Sequence, residues 1–109
     1  VVQAVIHAHP MNVMPFTAIC RPIEPLLEGT QKFGTIGYCE AAPGHTKELG
    51  EKVLKAMQGK EELMHKQAMP VLIPYHGIIL AGEDFDKTLD ALERVDQNAY
   101  CILARRLLE

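Results

Sequence analysis

Three histidines stand where side chains can meet a divalent metal ion. His7 and His9 lie two residues apart in Ala4-Val5-Ile6-His7-Ala8-His9-Pro10. Residues 1–9, from Val1 onward, are apolar and β-branched up to the histidines and read as a strand that Pro10 ends. Side chains at i and i+2 of a strand share a face, so two such imidazoles can bite one ion if a third ligand arrives from elsewhere in the fold. Five histidines among 109 residues give about 0.2 such pairs by chance, so the spacing alone is a mild signal. Context strengthens it, because polar rings ending an apolar strand need partners, and strand ends are where open α/β sheets place ligands. His76 is the natural third ligand. It sits in Pro74-Tyr75-His76-Gly77 between two apolar runs, and Gly77 permits a close backbone approach or an unusual φ. Three neutral imidazoles with an open fourth position describe a catalytic zinc site rather than a structural one. The competing reading of each is a hydrogen-bonded histidine at a strand end. His45 and His65 lie in polar stretches flanking helices and read as solvated surface residues.

The elements that must position these side chains alternate in type. Residues 11–20 form a short helix only if Pro15 falls in its first turn. Residues 21–33, with Pro22, Pro25 and Gly29, look irregular with at most a helical turn. Residues 34–40 read as a strand with Ile36 and Tyr38 on one face. After Pro43-Gly44, Thr46 is an N-cap for a helix to about residue 58, with Leu49, Val53 and Met57 as its buried stripe and Gly59 at its end. Residues 71–73 make a short buried strand, and residues 78–81 a second apolar run closed by Gly82. Asp84 caps the clearest element, a helix from about residue 85 to 107. Phe85, Leu89, Leu92, Val95, Ala99, Ile102 and Leu103 fall on one side of it and are expected to be buried. Strands interleaved with helices make a layered α/β fold.

The whole chain narrows the function. Its 109 residues suit one domain, and 48% apolar content supports a core. The net charge of -3 argues against a general nucleic-acid binder, which needs clustered Lys and Arg. Arg105-Arg106 reads as the basic end of a helix. Cys20, Cys39 and Cys101 are widely spaced, odd in number and lack a CxxC, which favours reduced thiols in a cytoplasmic protein. No apolar run approaches the length of a membrane span. The sequence opens at Val1 directly on an apolar strand, whereas termini are usually polar and frayed. We therefore expect residues 1–109 to be a single domain unit that is a piece of a longer protein.

Three segments, in order, resemble the class II aldolase/adducin family. They are residues 4–10 with the His-x-His strand, the helix start Pro43-Gly44-His45-Thr46-Lys47-Glu48-Leu49, and Tyr75-His76-Gly77-Ile78-Ile79-Leu80-Ala81-Gly82 before a long terminal helix. The resemblance implies a layered α/β/α domain with a central, mainly antiparallel sheet. It implies one zinc ion held by His7, His9 and His76. It also implies a lyase that reversibly cleaves a ketose 1-phosphate, of the rhamnulose or fuculose 1-phosphate type, to dihydroxyacetone phosphate and lactaldehyde. Asn12 and the stretch Leu27-Glu28-Gly29-Thr30 lean towards the rhamnulose type. Such cleavage leaves negative charge on an enediolate oxygen, which a Lewis acid stabilises. Lysine Schiff-base chemistry would need a lysine in an apolar setting, and none reads so. Family aldolases are typically homotetramers with the site near a subunit interface. Their acid/base Glu and their phosphate-binding residues precede the His-x-His strand. The resemblance therefore places the acid/base Glu upstream of Val1 and assigns none within residues 1–109. Tyr38 and Tyr75 are candidate neighbours of the site, against a reading as packed aromatics with hydroxyls to solvent. Relatives use the same three histidines for epimerisation, dehydration or decarboxylation, and adducin-like members, interaction modules, have generally lost them.

Overall fold

A computed structural model describes residues 2–109 of the chain. Its elements are strand β1 (Ala4–Ala8), helix α1 (Met14–Ala18), a 3-10 segment (Glu28–Phe33), helices α2 (Lys47–Met57) and α3 (Glu61–Lys66), strands β2 (Met69–Ile73) and β3 (Gly77–Gly82), and helix α4 (Phe85–Ala104), closed by a 3-10 turn (Arg105–Leu107). The strand expected over residues 1–9 is thus realised over Ala4–Ala8, with His9 just past its end. Val1, where that expectation began, lies outside the described residues. Pro15 falls in the first turn of α1, where its missing N–H has no intrahelical partner to lose. Thr46 caps α2 by accepting from the Leu49 N–H at 3.2 Å, and Asp84 caps α4 by accepting from the Lys87 N–H at 3.1 Å.

The three strands form one antiparallel sheet in the order β1-β3-β2. The first strand in the chain thus lies against the last. On one face, Leu72, Ile78 and Leu80 pack with Val13 and Phe16 of the α1 region and with Ala91, Val95 and Ala99 of α4. On the other, Met69, Val71 and Ile73 pack against Leu49, Val53 and Met57, the buried stripe expected of α2. Helices on both faces of a central antiparallel sheet make the α/β/α layering that the family resemblance implies.

Two further sequence expectations are corrected. The apolar stripe read on α4 coincides only in part with its buried face, through Val95 and Ala99 with Leu92 and Ile102 packed beside them. Thr88, Ala91, Val95, Asn98 and Ala99 are buried, whereas Phe85, Leu89 and Leu103 are 59%, 38% and 42% exposed. Small residues at the contact let the helix approach the sheet closely, an advantage that a count of large apolar side chains overlooks. Residues 34–40 do not form a strand but two isolated bridges. Ile36 pairs antiparallel with Ile23, and Tyr38 pairs parallel with Leu72. Gly34, at φ 63°, turns the chain, and the partner changes within two residues, so no ladder can extend.

Asn98 holds the irregular stretch onto α4. Its Oδ1 accepts from the N–H groups of Leu26 and Leu27 and from the Thr30 hydroxyl at 2.8, 2.8 and 2.9 Å, and its Nδ2 donates to the Glu24 carbonyl at 2.8 Å. The three cysteine thiols are free, and among the described residues no helix is long and apolar enough to cross a membrane.

Candidate metal centre

Antiparallel pairing brings the end of β1 to the start of β3. His7 lies opposite Ile79 and Ala8 opposite Ile78, so His9 arrives beside the turn that carries His76. That turn is closed by the His76 N–H donating to the Ile73 carbonyl at 3.1 Å. The ring centroids stand 4.9 Å apart for His7 and His9, 4.9 Å for His7 and His76, and 5.3 Å for His9 and His76. One ring nitrogen from each lies within 4.8 Å of the others. Two zinc–nitrogen bonds of about 2 Å at a tetrahedral angle set their nitrogens about 3.3 Å apart, so the rings need to close by only about 1.5 Å to share one ion.

Gly77 makes the approach feasible. A Cβ there would stand 2.5 Å from the Ala8 carbonyl oxygen and 2.7 Å from His9 Cδ2. Of the two roles open to Gly77 in the sequence, close approach is the one realised, since its φ is not among the positive ones. His7 Nδ1 lies 3.1 Å from the Ile78 carbonyl. A carbonyl only accepts, so Nδ1 carries the proton and Nε2 is left as the donor atom for an ion. Burial, then the neighbouring His7, His9 and His45, hold the His76 imidazolium below its ordinary pKa. His76 is therefore neutral at neutral pH, the form that ligates. The donor set fits a divalent ion such as zinc. The acid/base Glu expected upstream of Val1 lies outside the described residues.

The His9 and His76 rings border an open cleft of about 690 Å³, lined also by Met14, Pro74, Tyr75 and residues 41–44. Tyr75 is 73% exposed, and Cys20 beside it raises the pKa of its hydroxyl. Tyr38 is instead packed, and its hydroxyl points inward, lying 2.9 Å from the Phe16 carbonyl and 2.8 Å from that of Arg21, to which it donates. Burial, then Cys20, pushes its pKa up to about 12. Asn12 clasps α4, its N–H and amide donating to the Asp96 carboxylate at 3.0 and 2.9 Å. Lys32 has a lowered pKa through burial and Arg94, but it is not among the cleft residues.

His65 is a surface residue as read, with Nδ1 2.5 Å from a Glu83 carboxylate oxygen. His45 is also exposed, yet its ring stands 6.5 Å from that of His76. Sequence reasoning missed this placement. The available signal was Pro43-Gly44 just ahead of the Thr46 cap, a turn that delivers the loop to the strand ends. His45, Tyr75 and Cys20, at φ 60°, 60° and 50°, are the non-glycine residues with positive φ among those described. Such strain persists where surroundings enforce it and clusters at functional sites.

The family model for the Class II Aldolase and Adducin N-terminal domain matches residues 1–103. A solved structure of an L-fuculose 1-phosphate aldolase superposes with a TM-score of 0.80 at 24% identity, over 99% of this chain and 48% of that one. The chain thus spans about half the length of that aldolase, and the likeness shows the shared fold. No curated protein sequence matches the chain. Matched over nearly its whole length, the chain belongs to the class II aldolase and adducin family.

Proposed function

We propose that this chain is the metal-holding part of a class II aldolase, a lyase that cleaves a ketose 1-phosphate such as rhamnulose or fuculose 1-phosphate to dihydroxyacetone phosphate and lactaldehyde. The observation that carries the reading is the convergence of His7, His9 and His76, each offering a ring nitrogen within 4.8 Å of the others. A bound zinc ion supplies Lewis-acid stabilisation of the negative charge that carbon–carbon cleavage leaves beside the ketose carbonyl. The chain's own residues hold and orient that ion. His7 is fixed in one tautomer by the Ile78 carbonyl, and His76 is kept neutral by burial. Proton transfer falls to an acid/base upstream of Val1, as the family pattern implies, within a longer domain whose C-terminal portion is this chain. Free thiols and sugar-phosphate chemistry suit the cytoplasm, and a homotetramer is the assembly the family implies.

The test is a metal and product assay on the protein that contains this chain. We expect about one zinc per chain, release of dihydroxyacetone phosphate from rhamnulose or fuculose 1-phosphate, and loss of both with chelator or with His76→Ala. A fully folded, metal-free preparation that retains cleavage would overturn the proposal. An epimerised or dehydrated product would keep the metal site and replace the reaction.

A further inference from the structure

Of the three histidines, His9 is the one the sheet does not hold. The last β1–β3 pair is Ala8 with Ile78, so His9 stands just past the ladder. His7 lies within the ladder, and its Nδ1 meets the Ile78 carbonyl. His76 lies in a turn closed by its own N–H. Among the described residues the His9 ring has ring neighbours but no hydrogen-bond partner. What fixes it must act through the chain that follows. That chain turns at once. The Val13 and Met14 N–H groups both donate to the Pro10 carbonyl at 3.1 Å. Val13 is fully buried in the core that α4 shares. Within the turn, half-buried Asn12 meets a half-buried carboxylate of α4 through two bonds. Its backbone N–H donates to Asp96 Oδ1 at 3.0 Å and its Nδ2 donates to Oδ2 at 2.9 Å. Two donors side by side face two acceptors side by side, so the pairing fixes orientation as well as distance. Pro10 locks its own φ, so few free torsions separate this clasp from His9.

We propose that Asp96 is a positioning residue of the metal centre, setting His9 against His7 and His76 through Asn12. The proposal rests on the metal reading of those three histidines. The sheet and its turn fix two ligands, and helix α4 fixes the third through this carboxylate. Asp96 acts on the backbone that carries His9 and not as a ligand. What it supplies is preorganisation, because a ligand already aimed needs less ordering when an ion binds.

The test is Co2+ binding to the protein that contains this chain, by titration with Co2+ alone and by the visible band, which reports coordination. Asp96→Asn, Asn12→Asp and the two together are compared with the parent. Asp96→Asn sets an amide donor against the Asn12 amide, and Asn12→Asp sets two carboxylates face to face. The double exchange restores both bonds, the side-chain pair with donor and acceptor reversed. Each single variant is expected to bind Co2+ about tenfold more weakly and to alter its band. The double variant is expected to return to within about twofold of the parent. The single variants change net charge in opposite directions. A purely electrostatic effect on the ion would weaken one and tighten the other, and that outcome sinks the proposal. So does affinity within about twofold of the parent in both single variants, even where urea unfolding shows them destabilised, because the clasp then holds only the fold. His76→Ala is the control. Should it bind as the parent does, the three-histidine reading falls and the proposal with it, whereas failure of the positioning alone leaves the His76 loss in place.

Discussion

At the scale of single residues, one methyl group at position 77 tests the site's construction. A Cβ there would meet the Ala8 carbonyl at 2.5 Å and His9 Cδ2 at 2.7 Å. One obstacle is backbone and the other a proposed ligand, so neither can yield without moving the site. Gly77→Ala should cost about 1–3 kcal/mol in denaturant unfolding, the range of an overpacked core. It should also weaken zinc binding about tenfold or more by pushing His9 from its partners. Unchanged values in both measurements would refute the close-approach account. Tyr38 makes a different kind of prediction. Its hydroxyl is bonded inside the fold, and Tyr38→Phe should cost about 1 kcal/mol at neutral pH. The pH dependence has a definite sign. The folded pKa is raised to about 12 from an ordinary 10, so the hydroxyl's contribution is complete below about pH 10 and is lost as pH rises towards 12. The gap between wild type and Tyr38→Phe should therefore narrow between about pH 10 and 11 in urea titrations. A constant gap would show that the hydroxyl ionises no differently in the folded chain.

At the scale of elements, Asn98 holds the least regular part of the chain. It is fully buried on α4 and bonds four groups of residues 24–30. Asn98→Ala strands two backbone N–H groups and a carbonyl at once, while the Thr30 hydroxyl keeps the Leu27 carbonyl as acceptor. With each lost bond to a buried group worth about 1–3 kcal/mol, and partial rescue by water, the variant should lose about 3 kcal/mol or more. Hydrogen exchange should speed up at Leu26 and Leu27 before it does in the sheet. Exchange that rises uniformly would mean that the segment and the sheet open together. None of this is legible in the sequence, where a lone Asn on a helix carries no mark of what it binds 70 residues away. What was legible is local: the Thr46 and Asp84 caps, the α2 stripe, and Pro15 in its first turn. The failures are tertiary. On α4, Ala91 and Asn98 are buried while Phe85 and Leu89 are exposed, because closeness of packing and a polar partner outweigh side-chain size. At residues 34–40 the β pattern was real, but the partners it met change from Ile23 to Leu72.

At the scale of the molecule, the centre depends on topology rather than on any one segment. His7 and His76 are 69 positions apart in sequence, and only the pairing of β1 with β3 unites them. The histidine set itself was legible through its i, i+2 spacing and its order within the family pattern. The nearness of His45 was not, because it arises only once α2 is folded onto the sheet. A site assembled this way couples metal binding to folding of the whole domain. An unfolded chain keeps His76 far from the neighbouring His7 and His9, so all three chelate together only in the folded state, and an ion that prefers that state must stabilise it. At free zinc of 100 times the dissociation constant the gain is about 2.7 kcal/mol. For a domain of about 100 residues, each kcal/mol moves the melting temperature by about 4–8 °C, so the expected rise is on the order of 10–20 °C. Chelator should reverse it, and His76→Ala should abolish it while leaving the metal-free melting temperature within a few degrees of the parent's, since the ring is only half-buried. Differential scanning calorimetry at several zinc concentrations measures this directly. A melting temperature that ignores zinc would mean that the three rings, close as they are, do not act together. A rise that survives in His76→Ala would locate the stabilising ion elsewhere in the molecule.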